Sequence, residues 1–200
     1  MERCDTAISV EIRPARREEA PAIAHLIMEA MSEASCHIIC GPHRTLDELH
    51  ALLTELVRAE VSQYSYRNTL VAVVADGSVA GIAVSYDGGQ LHRLRRPFIE
   101  AARTRLGQDY SAMADETQPG ELYLDSFAVR ADLRRRGIGV ELLWAVKRRA
   151  ASLGLSKVGL LVDKGNPLAE RIYLSAGFRW ENDTEWFSHP MRHLACPVPA

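Results

Sequence analysis

The sequence lacks the features of a membrane-spanning or secreted protein. No apolar run in the 200 residues approaches the length of a membrane span. The first residues, MERCDTAISVEIR, contain no apolar core of a secretory signal. Cysteine is scarce, and it occurs at Cys4, Cys36, Cys40 and Cys196. We therefore predict a cytoplasmic protein with scattered free thiols and no membrane partner.

Metal binding is the alternative interpretation of the two central cysteines. Cys36 and Cys40 flank His37, and His43 follows shortly after them. This spacing matches no common zinc framework, and no second Cys/His pair lies within reach along the sequence. The sequence therefore predicts no metal site.

The chain also has little net charge. Its formal net charge of −2 implies no general attraction to nucleic acid. The hydrophobic fraction of 47% and the charged fraction of 25% are those of an ordinary globular protein. A length of 200 residues suits a sizeable core, so we predict a single domain over residues 1–200.

Residues 121–152 organise the chain. Glu121–Val129 is rich in β-branched, aromatic and aliphatic residues, which is typical of a strand. Two glycines, Gly137 and Gly139, follow an Arg134–Arg136 cluster at the point where a helix is predicted to begin. This arrangement predicts a binding site for a phosphate or pyrophosphate. The apolar helix face is Leu142, Leu143, Val146, Ala150 and Leu153.

The familiar phosphate-binding motifs do not fit this turn. A P-loop needs Gly-Lys-Ser/Thr, but Val140 follows Gly139. The dinucleotide fingerprint needs a third glycine where Leu142 stands. What remains is R-x-x-G-x-G after a strand. Here the chain resembles the GNAT superfamily of acyl-CoA-dependent N-acyltransferases.

A second stretch resembles the same superfamily. Residues 166–178, NPLAERIYLSAGF, match the family pattern N-x-x-A-x-x-x-Y-x-x-x-G-F. The residues also predict a helix by themselves, because Asn166 can cap it and Pro167 suits its first position. Gly177 suits a left-handed exit from that helix. A strand-like segment at 156–162 separates the two motifs.

The resemblance implies the GNAT fold, an α/β (α+β) architecture. Its central sheet is mixed, has about six to seven strands and is flanked by helices. Strands four and five are splayed to admit acetyl-CoA. Periodicity along the chain predicts helices at 17–35 and 45–62 before the first motif. Strands are predicted at 8–13, 69–75, 79–86, 121–129, 156–162, 178–180 and 186–194, with a polar turn at 181–183 and irregular ends at 1–7 and 196–200.

Residues 90–120 are the part that resembles the family least, and we predict a family-specific insertion there. The segment has a basic start, predicts a short helix after Pro97 and ends in an acidic stretch. It is either a solvated cover over the sheet or a wall of the acceptor site, since long loops often carry function.

The resemblance implies acetyl-CoA as cosubstrate and an amine as acceptor. The backbone of strand four would pair with the pantetheine arm, and the amides after it would hold the pyrophosphate. The arginines would reach the phosphates, and Asn166 would hydrogen-bond to the pantetheine arm. The implied cofactor-binding residues are Phe127, Ala128, Val129, Arg134, Arg135, Arg136, Gly137, Ile138, Gly139, Val140, Asn166 and Tyr173.

Two residues are candidates for catalysis. Tyr173 matches the family tyrosine near the thioester sulfur, where a phenol can donate a proton to the leaving thiolate. Asp125 lies within an otherwise apolar strand, and a buried acid needs a partner or a purpose. Some family members carry a glutamate base at the position of Tyr123, so the base stays open, with Glu121 and His189 as weaker candidates.

We therefore predict direct acetyl transfer to a primary amine of a small molecule. The alternatives are acetylation of a protein N-terminus or lysine, and a non-catalytic acyl-CoA-binding sensor or scaffold. A homodimer through the last strands or the sheet edge is also an expectation. Trp180, Trp186 and Phe187 would serve that interface or fill the core.

Overall fold

The computed structural model describes residues 9–186 and 189–198. The predicted loose tail with Cys4, the strand residue Ile8, the interface candidate Phe187 and the last part of the predicted irregular end lie outside these ranges.

Seven strands form one mixed sheet. They are β1 (Glu11–Pro14), β2 (Thr69–Val73), β3 (Val79–Asp87), β4 (Glu121–Val129), β5 (Lys157–Asp163), β6 (Arg179–Trp186) and β7 (His189–Pro197). Their order across the sheet is β1-β2-β3-β4-β5-β7-β6. The β4–β5 pair is parallel and its neighbours pair antiparallel. The predicted fold class is confirmed.

Helices cover both faces of this sheet. They are α1 (Ala20–Ala30), α2 (Glu33–Cys40), α3 (Leu46–Arg58), α4 (Leu91–Ala101), α5 (Ile138–Ser152) and α6 (Pro167–Ser175). Alternate residues of β2 face opposite sides, so Val71 packs with α1–α4 and Ala72 packs with α5. No helix in the described parts of the chain is long and apolar enough to cross a membrane.

The prediction of one continuous helix over residues 17–35 is wrong. Residues Arg17–Glu19 form a 3₁₀ turn, and the α-helix that follows ends at Ala30. A new helix then begins because Ser32 caps it, accepting a hydrogen bond from the Ser35 amide at 3.0 Å. The apolar stripe predicted the buried face, and the local serine decided the break.

The short helix predicted after Pro97 is also wrong, because α4 begins six residues earlier, at Leu91. Pro97 lies inside the helix and lacks the amide that would continue its hydrogen bonding. Leu94 and Phe98 are buried, and tertiary packing here overrides the helix-breaking propensity. A π-helical turn, Ala102–Leu106, continues the helix to Gly107.

The polar turn predicted at 181–183 is part of β6 instead. Asn182 and Asp183 pair with His193 and Arg192 across the strands, after a bulge that follows Trp180. Polar residues fit there because β6 is the edge of the sheet, where one side faces solvent. The chain end is likewise less irregular than predicted, since β7 continues to Pro197 and pairs with β5.

The two central parallel strands diverge as predicted. β4 and β5 pair at Glu121↔Lys157, Leu122↔Val158 and Tyr123↔Gly159, and the recorded pairing ends there. Beyond Tyr123, β3 still pairs with the other edge of β4 as far as Val129. The β5-facing edge of the last part of β4 is thereby left open for another extended group.

Gly159 is required by the close approach of Glu121. A Cβ at position 159 would overlap the carboxylate of Glu121, which is fully buried. We expect Gly159→Ala to lower the free energy of unfolding by about 1–3 kcal/mol, since overpacking forces buried groups to shift. Urea denaturation measures this, with Gly139→Ala as control because its Cβ meets only ordinary contacts. Equal stability of both variants would contradict the argument.

Candidate active site

A cavity of about 440 Å³ lies beside the divergence of β4 and β5. The α1–α2 junction, α6 and the β6–β7 hairpin contribute to its wall. The 90–120 segment also contributes, through Phe98, Met113 and Glu116. The polar residues of the wall include Gln63, Tyr64, Glu116, Tyr123, Asp125, Ser126, Asp163, Asn166, Tyr173 and His189.

The turn between β4 and α5 has two features that favour an anion, a left-handed backbone and a helix N-terminus. Arg135 has φ +63° and Gly137 has φ +85°, so the chain twice enters the left-handed region before α5 begins. The first amides of a helix have no intrahelical partner, and its N-terminus carries partial positive charge. A Cβ on Gly137 would point into open space, so no protein atom crowds the turn at that position.

The three arginines of this turn are not equivalent. Arg134 donates to the Val129 carbonyl through Nε at 2.8 Å, and its Nη2 lies 3.4 Å from Glu29 on α1. Arg134 therefore fastens the turn to the sheet and to α1. Arg135 and Arg136 are exposed on the same turn.

Tyr173 is held beside the open edge of β4. Its ring packs against Phe127 and Phe178, with centroid distances of 6.2 and 5.8 Å. Burial raises the pKa of the Tyr173 phenol to about 12, so it carries its proton at neutral pH. The helix that carries it is capped by Asn166, whose Oδ1 accepts from the Ala169 amide at 3.1 Å.

Asp125 occupies a β-bulge in β4. Val84 pairs with Ser126 and Ser85 pairs with Leu124, so Asp125 is the extra residue between them. Its carboxylate accepts hydrogen bonds from Gln63 at 3.1 Å, Tyr86 at 3.2 Å and Ser126 at 2.8 Å. Burial nevertheless raises the pKa of Asp125 above its ordinary value.

Glu116 and Arg95 are buried ionisable residues that the sequence did not single out. Their exposed fractions are 8% and 3%, and Glu116 Oε1 lies 3.3 Å from Arg95 Nη2. Burial and the charge of Asp125 together raise the pKa of Glu116 to about 7. The sequence signal that was missed is Arg95 at helical spacing among the buried Leu91, Leu94 and Phe98 of α4.

The weaker acid–base candidates fall in different places. Glu121 lies outside the cavity wall, where it accepts from Thr117 at 2.6 Å and faces His193 at 3.1 Å. Lys157 stands 3.9 Å from the same carboxylate and adds positive charge. His189 and Tyr123 line the cavity, and burial raises the pKa of Tyr123 well above its ordinary value.

The family of the chain follows from comparison with known sequences. A model of the acetyltransferase (GNAT) family matches residues 37–178, more than half of the chain and both motifs. The chain therefore belongs to the acetyltransferase (GNAT) family, and the resemblance drawn from its two motifs is confirmed. Membership supports an acyltransferase enzyme.

Solved structures agree. A protein described as an acetyltransferase is 31% identical, with a TM-score of 0.77 over 94% of this chain and 100% of its own. An N-acetyltransferase from Staphylococcus aureus Mu50 is 25% identical, with a TM-score of 0.73 over 92% of this chain and 99% of its own.

A curated relative matches over a shorter region. The GCN5-related N-acetyltransferase 4, chloroplastic, of Arabidopsis thaliana is 34% identical over 64 residues, which is 32% of this chain. This match spans 22% of the length of that relative.

Proposed function

We propose that this protein transfers the acetyl group of acetyl-CoA directly to a primary amine of a small molecule. The observation that carries the proposal is that a protonated phenol, Tyr173, and a half-buried carboxylate, Asp125, line one cavity beside the open edge of β4. Both are proposed catalytic residues.

The residues of the β4–α5 region fit the proposed cosubstrate. The open edge of Phe127–Val129 offers backbone groups to an extended amide chain such as pantetheine. The amides around Gly137–Val140 would hold a pyrophosphate at the start of α5, where the helix dipole favours negative charge. Arg135 and Arg136 add positive charge at the same end, while Arg134 holds the turn. Asn166, which caps α6, also lies in the cavity wall.

Direct transfer moves two protons, one from the amine and one to the sulfur. The amine nitrogen forms a bond to the acetyl carbon and gives up a proton, while the carbon–sulfur bond breaks and the sulfur takes one. Asp125 faces the amine and Tyr173 faces the sulfur. A phenol of pKa about 12 is a weaker acid than a free thiol of pKa about 8.5. The burial that raises the pKa of the phenol would also raise the pKa of a thiol in the same cavity.

Direct transfer is favoured over a covalent acyl-enzyme. A thioester intermediate on the protein would need a cysteine at the cavity, since the thiolate is the nucleophile. Cys36, Cys40 and Cys196 are buried, and the described residues of the cavity wall include no cysteine. Burial also raises the pKa of Cys36 and Cys40, which lowers their thiolate fraction.

The shape of the site favours a small acceptor over a protein. The cavity is walled by the α1–α2 junction, by the 90–120 segment and by the β6–β7 hairpin. A volume of about 440 Å³ is in the range of small-molecule sites. A protein N-terminus or lysine remains the second candidate acceptor. A non-catalytic acyl-CoA sensor would have no use for a carboxylate and a phenol placed together.

Thiol release with a panel of amines tests the proposal. We expect acetyl-CoA to bind in calorimetry and to release free thiol with at least one small primary amine. Peptides with free N-termini or lysines are expected to react more slowly. Faster reaction with peptides would favour the second acceptor class, and binding without thiol release from any acceptor would favour a sensor.

Three further predictions are retained with this proposal. They are a cytoplasmic location, the absence of nucleic-acid and membrane partners, and a homodimer. The exposure of Trp180, at 59% on the edge strand β6, supports a contact surface there.

A further inference from the structure

More carboxylates than cations lie in and just behind this part of the cavity wall. Arg95 is the buried cation, and it lies 3.3 Å from Glu116 and 3.4 Å from Asp115, whose side chain is about half exposed. Asp125 is a second carboxylate in the cavity wall, and its recorded hydrogen-bond donors are the neutral groups of Gln63, Tyr86 and Ser126. Arg95 acts on Asp125 only through its charge and makes no contact with it that the described hydrogen bonds or ion pairs include. A half-buried carboxylate without a cation in contact is costly, so this site favours a positively charged ligand.

The polar atoms of the cavity fit an ammonium group. An ammonium has three N–H donors and no acceptor. With its amide nitrogen donating to Asp125, Gln63 has a buried Oε1 for which the described residues supply no hydrogen-bond partner. Asp125, Glu116 and Gln63 therefore present three acceptor groups in one cavity wall.

We propose that Glu116 is a catalytic residue, which accepts the proton of a cationic primary amine that Asp125 and Gln63 hold in the cavity. The inference rests on the proposed acetyl transfer in the same cavity. It names the class of acceptor, an aliphatic amine that is protonated in water, and it identifies the base.

The surroundings of the two carboxylates decide which of them takes the proton. Asp125 accepts three hydrogen bonds, and each of them favours its ionised form. Glu116 is buried beside that fixed charge, and its pKa of about 7 is matched to proton transfer at neutral pH. Arg95 limits the rise by stabilising the ionised form.

The proton of the ammonium is transferred in two steps, first to Glu116 and then to water. An N–H bond of the ammonium breaks, the proton goes to the Glu116 carboxylate, and the nitrogen keeps the electron pair that forms its bond to the acetyl carbon. After the product leaves, Glu116 returns the proton to water. An arylamine is neutral in water and needs no such ionic site, so it is the contrasting acceptor.

A variant that keeps the hydrogen bond and removes the base tests the role of Glu116. Glu116→Gln retains a side-chain oxygen for Arg95. We expect kcat/KM for an aliphatic amine to fall by about 10²-fold or more, the usual size for a lost general base. The Kd of acetyl-CoA is expected to change by less than about twofold, well below the tenfold change that corresponds to 1.4 kcal/mol.

Asp115→Asn is the matched control, because Asp115 contacts the same arginine but lies outside the cavity wall. It should leave kcat/KM unchanged. Equal activity of Glu116→Gln and the wild type would overturn the proposal. If Glu116→Gln lost acetyl-CoA affinity by the same factor as kcat/KM, Glu116 would have a structural role. That result would also overturn the proposal.

The pH dependence of the wild type provides a test without any variant. The charged groups that act on Glu116 are Arg95 from α4 and Asp125 from β4, while burial keeps Tyr64, Tyr86 and Tyr123 neutral. We expect kcat/KM to rise through about pH 7 for every aliphatic amine and to fall above the pKa of the amine.

If the rising limb of the kcat/KM–pH profile instead shifted with the pKa of each acceptor amine, the enzyme would bind the free amine. The proposal would then fail. The outcomes also separate the two proposals. If the wild type acetylates no amine, the proposed function fails. If the wild type prefers an arylamine, or if Glu116→Gln is unimpaired, the function stands and this inference alone fails.

Discussion

Tyr173→Phe is expected to lower kcat by about 10²-fold or more while acetyl-CoA still binds. The ring of the variant retains the packing against Phe127 and Phe178, so α6 keeps its place. Only the hydroxyl is lost, and with it the proton that stabilises the departing thiolate. Steady-state thiol release gives kcat, and calorimetry gives the Kd of acetyl-CoA.

Tyr66→Phe is the control for this substitution, because Tyr66 is a half-buried tyrosine outside the cavity wall. It should leave both quantities unchanged. Unchanged turnover in Tyr173→Phe would remove Tyr173 from the mechanism. A loss of acetyl-CoA binding instead of turnover would limit the phenol to a role in holding the cosubstrate.

Gly137→Leu is expected to raise the Kd of acetyl-CoA by about tenfold or more, which corresponds to about 1.4 kcal/mol. Position 137 has φ +85°, and its Cβ would enter the open space in front of the first amides of α5. A leucine side chain there would hold a phosphate away from those amides. Calorimetry measures the affinity directly.

Strain must be separated from obstruction, because any side chain at a positive φ costs about 1–2 kcal/mol of stability. Gly154 supplies the control, since it has φ +70°, also faces open space and follows the other end of α5. Gly154→Leu should lower the Tm about as much as Gly137→Leu and leave the Kd unchanged. Equal loss of acetyl-CoA affinity in both variants would refute the anion site at the β4–α5 turn.

The parts of the site that the sequence predicted depend on local backbone requirements. A left-handed turn before a helix needs glycine, and Gly137 adopts that conformation. Asn166 caps α6 as its residue type suggests. Asp125 stood out because it interrupts an apolar strand. Each of these signals lies within a few residues of the feature that it predicts.

Two of the errors along the chain, at Pro97 and at residues 181–183, have a common cause. Pro97 predicts a helix start, but packing of its neighbours carries α4 through it. The polar residues 181–183 predict a turn, but pairing with β7 makes them an edge strand. In each case a partner distant in sequence outweighed the local preference.

The sequence by itself determined the two motifs, because caps, glycine turns and periodicity act between near neighbours. The resemblance of these motifs to a known family then implied the family and the fold class. The tertiary structure alone placed Glu116 in the cavity wall and Arg95 in contact with it. Gln63 reaches Asp125 across 62 residues, and Arg95 reaches Glu116 across 21. Burial and charge coupling depend on such distant contacts, and they set the protonation of these groups.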